Sequence, residues 1–417
     1  MLSTGRILSP MPMQDRQWVL LVLGVAIGIT AFSWANYPAV LPFILEDLVL
    51  SGTGGGILYS AYFAGYLLVI IPAGYLVDRY NARRIIGIAS IGTGVFGMAF
   101  AYLTIDLLSG SLWRLAAGAC FAGVYVPGMR MLSDWFPAQQ RGRAIGLYVG
   151  ALTVGSGIAY PLSTWLASTV DWRFAIAATS APAVMAGAGV LALGRDHPSE
   201  NERSVSFDPA ILTDRSYVYT VTAYASHNWE LFGVKNWIVA FLVVTPAVAA
   251  TDSPAVTAGI LAGVLTVVGG PGNAIGGWLS DRIGRISAAG GALAISGTLT
   301  LILGLHVWES LLVLGTVVVL YGLVLAADSA PLSTAITELV DDEHVGTALA
   351  GQSLIGFIPG IISPIVFGVA LDLIGFSVGF ITLAFGAAVG LISLALLRKH
   401  VRSTANVEGV NRTARQK

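Results

Sequence analysis

The chain has 417 residues and a formal net charge of −1; 55% of its residues are hydrophobic, only 11% are charged, and the mean hydropathy is +0.78. A soluble domain carries about a quarter charged residues, so a chain this poor in charge is built for lipid, where an ionised side chain is costly, and its balanced charge excludes the basic surface of a nucleic-acid binder. Cys120 is the only cysteine, which excludes an intrachain disulfide and a cysteine-rich metal site.

Apolar runs of the roughly 20 residues needed to cross a bilayer recur along the whole chain. They fall at about 17–45, 54–77, 84–105, 110–136, 142–168, 172–194, 216–247, 254–280, 286–306, 309–340, 344–372 and 376–398, which makes twelve spans. The first run, from Trp18, is too long for the apolar core of a signal peptide and reads as an uncleaved helix. The 50 glycines suit helices that pack in lipid, where small residues let backbones approach. Arg6, Arg16, Arg79, Arg83, Arg84, Arg141, Arg143, Arg195, Arg203, Arg215, Arg282, Arg285 and the tail from Arg398 to Lys417 all fall on one side of such a chain. The opposite loops carry Glu46, Asp47, Asp106, Asp252 and Glu309. The bias predicts a bacterial inner-membrane protein with both termini cytoplasmic.

The longest polar stretch, 195–215, divides the chain into two six-helix bundles, 1–194 and 216–398, followed by a cytoplasmic tail, 399–417, whose end from about 403 reads as disordered. The halves repeat. Gly74-Tyr-Leu-Val-Asp78-Arg79 recurs as Gly277-Trp-Leu-Ser-Asp281-Arg282 at an offset of 203 (277 − 74), and Pro127, Asp134, Gly142 and Ala144 recur as Pro331, Glu338, Gly346 and Ala348 at 204 (331 − 127). Parallel repeats about a linker predict a carrier with one site between the halves.

The stretch Gly74 to Arg84, with its second copy Gly277 to Arg285, resembles the loop motif of the major facilitator superfamily, and Leu112-Trp-Arg114-Leu-Ala-Ala-Gly118 is similar to the family's arginine motif in the fourth helix. The resemblance covers nearly the whole chain. It implies an all-α membrane protein of twelve transmembrane helices in two pseudo-symmetric bundles, the major facilitator fold. It also implies a gating and loop-motif set: Gly74, Asp78, Arg79, Arg83 and Asp134 in the first half, and Gly277, Asp281, Arg282, Arg285 and Glu338 in the second. In the family the arginine four residues after the motif aspartate pairs with an acid ending the fourth or tenth helix. Arg285 and Glu338 match that pattern as a latch that breaks when the inner side opens. In the first copy Asn81 replaces the motif glycine, which asparagine's tolerance of the left-handed region allows, and Ala82 replaces the arginine, leaving Arg83 or Arg84 to serve Asp134. Asp171-Trp-Arg173 is similar to small-anion and carboxylate uptake carriers, and the helix-5 motif of drug antiporters is missing.

Ionisable residues inside a membrane helix mark functional sites. The seventh span holds His227-Asn228-Trp229-Glu230 and Lys235-Asn236-Trp237. Lys235, Asn236, Trp237, Asn36, Tyr37, Arg130 and Tyr160 are the substrate-binding candidates, and Glu230, Asp328 and His227 the proton-coupling ones. Alternatives stand beside each. Glu230 and Lys235 neutralise each other or other helices, or they line a cavity; Asp328 carries a proton, or pairs with Lys235 or Arg130; Arg130 binds an anion, or pairs with Asp134 one turn on. Arg114 reads as a structural or coupling residue. No nucleotide-binding loop is present and no cofactor or metal is expected. The favoured reading is a monomeric, non-enzymatic secondary carrier that takes up a small organic anion with protons; the alternatives are an exporter of apolar or cationic compounds and a transporter-like receptor or assembly factor.

Overall fold

The computed structural model describes residues 13–196, 209–305, 307–340 and 344–415, excepting the side chains of 71, 74–79, 138, 346 and 404–415. The side chains of Asp78 and Arg79, the surroundings of Gly74, and residues 197–208 of the central segment lie outside the described residues. Among those described the chain is helical, with no strand. The helices are α1 (Met13–Thr30 and Phe32–Asp47), α2 (Gly52–Arg79), α3 (Ala82–Leu103), α4 (Leu107–Trp135), α5 (Ala138–Thr169) and α6 (Trp172–Leu193). They continue as α7 (Arg215–Val243), α8 (Pro254–Ile283), α9 (Arg285–Leu303), α10 (Leu311–Leu325 and Ser329–Glu338), α11 (Val345–Phe357 and Pro359–Leu373) and α12 (Phe376–Arg415). By length and composition, eleven described helical segments can cross a membrane. The twelfth rod, α7, is 29 residues long but is diluted by His227, Glu230 and Lys235. Exposed apolar side chains such as Met185, Leu312 and Phe385 clothe the outer surface, as contact with lipid tails requires.

The interruptions have local causes. Pro359 lacks the N–H that a continuous α11 needs. In α10 the helix lapses over Ala326–Asp328, and Asn273 Oδ1 of α8 accepts the Ala330 N–H that the break leaves over, at 3.0 Å. The tail departs from the disorder expected of it. With no proline to stop the ladder, α12 continues as a helix to Arg415.

The twofold repeat is visible in the packing. A Cβ on Gly118 of α4 would overlap the Tyr62 carbonyl of α2, and a Cβ on Gly322 of α10 would overlap the Leu265 carbonyl of α8. The two contacts are related by the offsets of the loop motifs, 204 (322 − 118) and 203 (265 − 62). Only glycine permits backbones this close. Helices α1 to α6 pack mainly among themselves, as do α7 to α12, and the halves meet along α5 with α8, α2 with α11 and α1 with α7.

These meetings lie toward the face that carries Asp106 and Asp252, called here the far face. The opposite, basic face carries Arg83, Arg195, Arg282 and Arg285. Near the far face the Gly56 and Gly368 backbones lie against Pro364 and Gly52 of the other bundle, and Gly157 of α5 lies against Gly263 of α8. Ser60 donates to the Ile361 carbonyl at 2.5 Å. Asp372, ending α11, caps the N-terminus of α2 across the divide: its carboxylate accepts from Gly52 N (2.6 Å), Thr53 N (2.8 Å) and Thr53 Oγ1 (2.7 Å). A carboxylate suits that position because the first N–H groups of a helix lack partners and the helix end is positive. The chain is therefore closed at its far face.

Two outcomes follow from this closure. Gly118→Val should overpack the α2–α4 contact by about 1–3 kcal/mol or more, read as a lower melting temperature of the purified protein; an unchanged melting temperature would show that the contact relaxes freely. Asp372→Asn should loosen the far face, so that a cysteine at Ser60 in a Cys120→Ala background reacts several-fold faster with a thiol reagent applied from that side. An unchanged rate would mean that Asp372 does not hold the closure.

Candidate functional site

On the basic-face side of these contacts lies a cavity of about 510 Å³ between the bundles. Its blind end is aromatic. Trp34 meets Phe63 (4.9 Å between centroids) and Phe121 (5.2 Å), Phe63 meets Phe232 (4.5 Å), and Phe232 meets Phe357 (5.7 Å), so the cluster crosses from one bundle to the other. Tyr66, Tyr125 and Tyr224 continue it along the walls, with Asn228 and Asn273 among the polar groups.

Helix α7 supplies the charge. Lys235 and His227 both line the cavity. Eight residues apart at about 1.5 Å of rise each, they stand roughly 12 Å apart along the helix. The Lys235 ammonium has no ion-pair or hydrogen-bond partner among the described residues, while its backbone carbonyl accepts from the Tyr160 hydroxyl of the other bundle at 3.0 Å. His227 Nδ1 lies 2.7 Å from Asp328 Oδ1, each side chain only 3% exposed. The contact is out of line for a hydrogen bond, since that oxygen has no aligned donor. Asp328 sits at the break in α10, and the half-helix beginning at Ser329 opens onto the cavity.

Glu230 turns the other way. It is buried inside its own bundle, where Thr300 (2.5 Å) and Tyr321 (3.1 Å) donate to Oε1 and Ser296 (2.9 Å) donates to Oε2. It neither lines the cavity nor pairs with Lys235. Asp328 likewise meets His227 rather than Lys235 or Arg130.

The remaining candidates sit away from the cavity. Asn36 joins α1 to α6 through Thr179 and Ser180, both at 3.0 Å. Tyr37 donates to the Gly55 carbonyl at 2.7 Å. Trp237 donates to the Pro364 carbonyl at 3.0 Å and stacks on Phe367 at 5.2 Å. Asn236 is buried with neither polar side-chain atom hydrogen-bonded. Arg130 forms an ion pair with Asp134 one turn on, at 3.4 Å. Arg114 is buried between the rings of Tyr62 (4.4 Å) and Tyr37 (4.6 Å) and donates to the Leu58 carbonyl at 3.3 Å. Asp171, Trp172 and Arg173 serve structure: Asp171 caps α6 through Phe174 N (2.7 Å), and the other two bind Asp47 at 3.1 and 2.5 Å.

In the second loop motif the expected Arg285–Glu338 pair forms, and in the first the arginine turns elsewhere. Arg285 holds Asp281 and, at 2.9 Å, Glu338, but all three belong to one bundle and stay joined while the cavity lies open between the bundles. They brace α8, α9 and α10 rather than latch the two halves. Gly277 faces Ala330 of α10, and Arg282 lies 3.8 Å from the Trp278 ring. In the first copy Arg83 reaches Asp196 at 3.2 Å and the carbonyls of Leu191 and Gly194, not Asp134, which Arg130 occupies. Asn81 is not left-handed. It has φ −58° and caps α3 through Arg84 N (3.4 Å), whereas the matching Gly284 has φ +88°.

The cavity residues Trp34, Tyr66, Tyr125, Tyr224 and Asn273, and Asp372 at the far face, are not among the residues singled out from the sequence. Asn273 was signalled by its place as the polar residue in Gly269-Gly-Pro-Gly-Asn273, inside an apolar span. Asp372 offered only an acid near a span end, which is ordinary.

Comparison with known proteins agrees with this architecture. The sequence profile of the Major Facilitator Superfamily matches residues 23–253 and 231–415. A hexuronate transporter of Bacillus subtilis (strain 168) is 24% identical over 416 residues, covering 92% of this chain and 94% of the relative. A probable galactarate/D-glucarate transporter of Escherichia coli (strain K12) is 28% identical over 171 residues, covering 38% of this chain and 36% of the relative. Among solved structures, a bacterial homolog of the human lysosomal transporter Spinster, in an inward-facing and occupied conformation, superposes with a TM-score of 0.78 at 17% identity, covering 93% of this chain and 98% of that one. Twelve helical rods in repeated halves, a cavity between them and profile matches along the chain make one assignment: this multi-pass membrane protein belongs to the Major Facilitator Superfamily of transporters.

Proposed function

We propose that the chain imports a small organic anion of the sugar-acid class together with protons, by alternating access of the cavity to the two sides of a bacterial inner membrane, working as a monomer with its basic face toward the cytoplasm. The observation that carries the reading is Lys235, an ammonium on the cavity wall with no ion-pair or hydrogen-bond partner among the described residues. A cation partly withdrawn from water gains from an anion that joins it, and a soluble carboxylate is such an anion. The positive end of the half-helix at Ser329 adds to the same field. Asn228, Asn273 and the tyrosines Tyr66, Tyr125 and Tyr224 supply polar edges for hydroxyls and flat faces for a sugar's carbon skeleton. The names of the hexuronate and galactarate/D-glucarate relatives support the same class. Export of cations is disfavoured, because Glu230 is enclosed by three hydroxyls and Asp328 stands behind His227, so that among the described lining residues the wall presents the Lys235 cation and no carboxylate.

The test is exchange of labelled D-glucuronate and D-glucarate by the purified protein in proteoliposomes. Lys235→Gln should raise the half-saturating concentration at least about tenfold, since a hydrogen bond to a charged group is worth about 1.5–3 kcal/mol. Normal half-saturation in a well-folded Lys235→Gln protein would return this residue to a structural role, and binding without movement by the wild type would make the chain a receptor. The orientation has its own check. In whole cells, single cysteines at Asn201 and Ser403 in a Cys120→Ala background should resist an impermeant thiol reagent while one at Ser310 reacts; labelling of Asn201 or Ser403 would reverse the topology.

A further inference from the structure

We propose that His227 and Asp328 together form the site at which the transported proton is bound; the inference rests on the reading of the chain as a proton-coupled carrier of an anion. A coupling site must reach water in the cavity, must sit where a change in charge is felt by the cargo, and must not be saturated by fixed donors. Glu230 fails the first and third conditions, being enclosed within its bundle by Ser296, Thr300 and Tyr321. The pair meets all three. His227 lines the same cavity as the cargo's cation Lys235, about 12 Å from it along α7, and Asp328 stands behind His227 at 2.7 Å with an oxygen that has no hydrogen-bond partner. A carboxylate oxygen so placed can receive a proton, on the imidazole or on itself.

The surroundings contain little else that titrates. On α7 the ionisable neighbours are Tyr224, whose ring lies 5.9 Å from that of His227, and Glu230, one turn on and near enough for Asp328 to act on its charge, with Lys235 further along. The first half of α10 brings Tyr321, bound to Glu230. Asn273 of α8 binds Ala330 two residues after Asp328, Ser296 and Thr300 of α9 bind Glu230, and Gly356 of α11 accepts from Asn228; the charged residues of these helices, Asp281, Arg282, Arg285 and Asp372, stand at their ends. Across the cavity Tyr66 and Tyr125 face in from the other bundle.

Charge balance then links proton to cargo. Empty, with His227 neutral, Lys235 and Asp328 cancel. When a monovalent anion arrives at Lys235, one proton taken from hydronium in the cavity onto the pair restores the same sum. Loaded and empty forms thus cross the membrane with equal net charge whatever the state of Glu230, and a loaded form lacking the proton carries one extra buried negative charge, which lipid opposes. Because Asp328 lies in the break of α10, the charge change falls on the hinge between two half-helices.

The experiment follows proton uptake when D-glucuronate is added to the purified, weakly buffered protein, and pH-driven accumulation relative to exchange in proteoliposomes. The wild type should take up about one proton per anion bound, as linkage between the two ligands requires. Asp328→Asn and His227→Gln should each lower that uptake, and the ratio of pH-driven accumulation to exchange, at least fivefold. Asp328→Glu, which keeps the acid, should recover most of it and guards against a fold defect in the first variant. Proton uptake that persists in Asp328→Asn and His227→Gln but vanishes in Glu230→Gln overturns the pair and leaves the carrier reading intact. If the wild type neither binds nor exchanges D-glucuronate or D-glucarate, the sugar-acid reading falls and takes the proposal with it.

Discussion

Three ionisable side chains on one helix, α7, lie inside the hydrocarbon thickness, and each must be compensated there because water is not available to do it. Much of the C-terminal bundle is arranged around that requirement. Glu230 receives hydroxyls from α9 and from the first half of α10. His227 meets an acid exposed by the lapse in α10, and Asn273 of α8 takes up a backbone donor that the lapse releases. Lys235 faces the cavity with no ion-pair or hydrogen-bond partner among the described residues. That point is where a solute can complete the bundle's charges.

The same economy makes each half a unit of its own. Glycines seat α4 on α2 and α10 on α8 at symmetry-related positions, and the charges of the basic face tie helices within a bundle rather than across the divide. Among the described residues, what joins the halves lies toward the far side: the glycine-lined crossings, the Tyr160 bond to the Lys235 backbone, the aromatic cluster about Trp34, and the Asp372 cap on α2. Opening the far face costs those contacts and leaves each bundle's interior intact, which is the mechanical condition for alternating access.

Much of the architecture was legible in the chain. Twelve apolar runs, the lopsided arginines and the repeat at 203–204 residues are one-dimensional signals of a fold whose solvent is lipid. The site was less so, for a physical reason. A polar residue in an apolar span announces that it has a partner without saying where. Asn36 and Trp237 look like cavity residues beside Tyr37 and Lys235, yet they bind Thr179, Ser180 and Pro364 in neighbouring helices. Glu230 suggested a coupling acid, yet hydroxyls 66 to 91 residues away enclose it, and serine, threonine and tyrosine are too common in such helices to be read as its partners. The loop motif located its residues correctly but not their reach: Arg285 binds both expected acids within one bundle, and Arg83 turns to Asp196 because Arg130 already holds Asp134.

The account stands on Lys235 as the group that receives the cargo's negative charge. A structure of the protein bound to D-glucuronate or D-glucarate tests this most directly. The account predicts the sugar acid in the cavity beneath the Trp34 cluster, a carboxylate oxygen within about 4 Å of Lys235 Nζ, as an ion pair requires. A ligand seated elsewhere, or in the same cavity with its carboxylate turned away from Lys235, would contradict it.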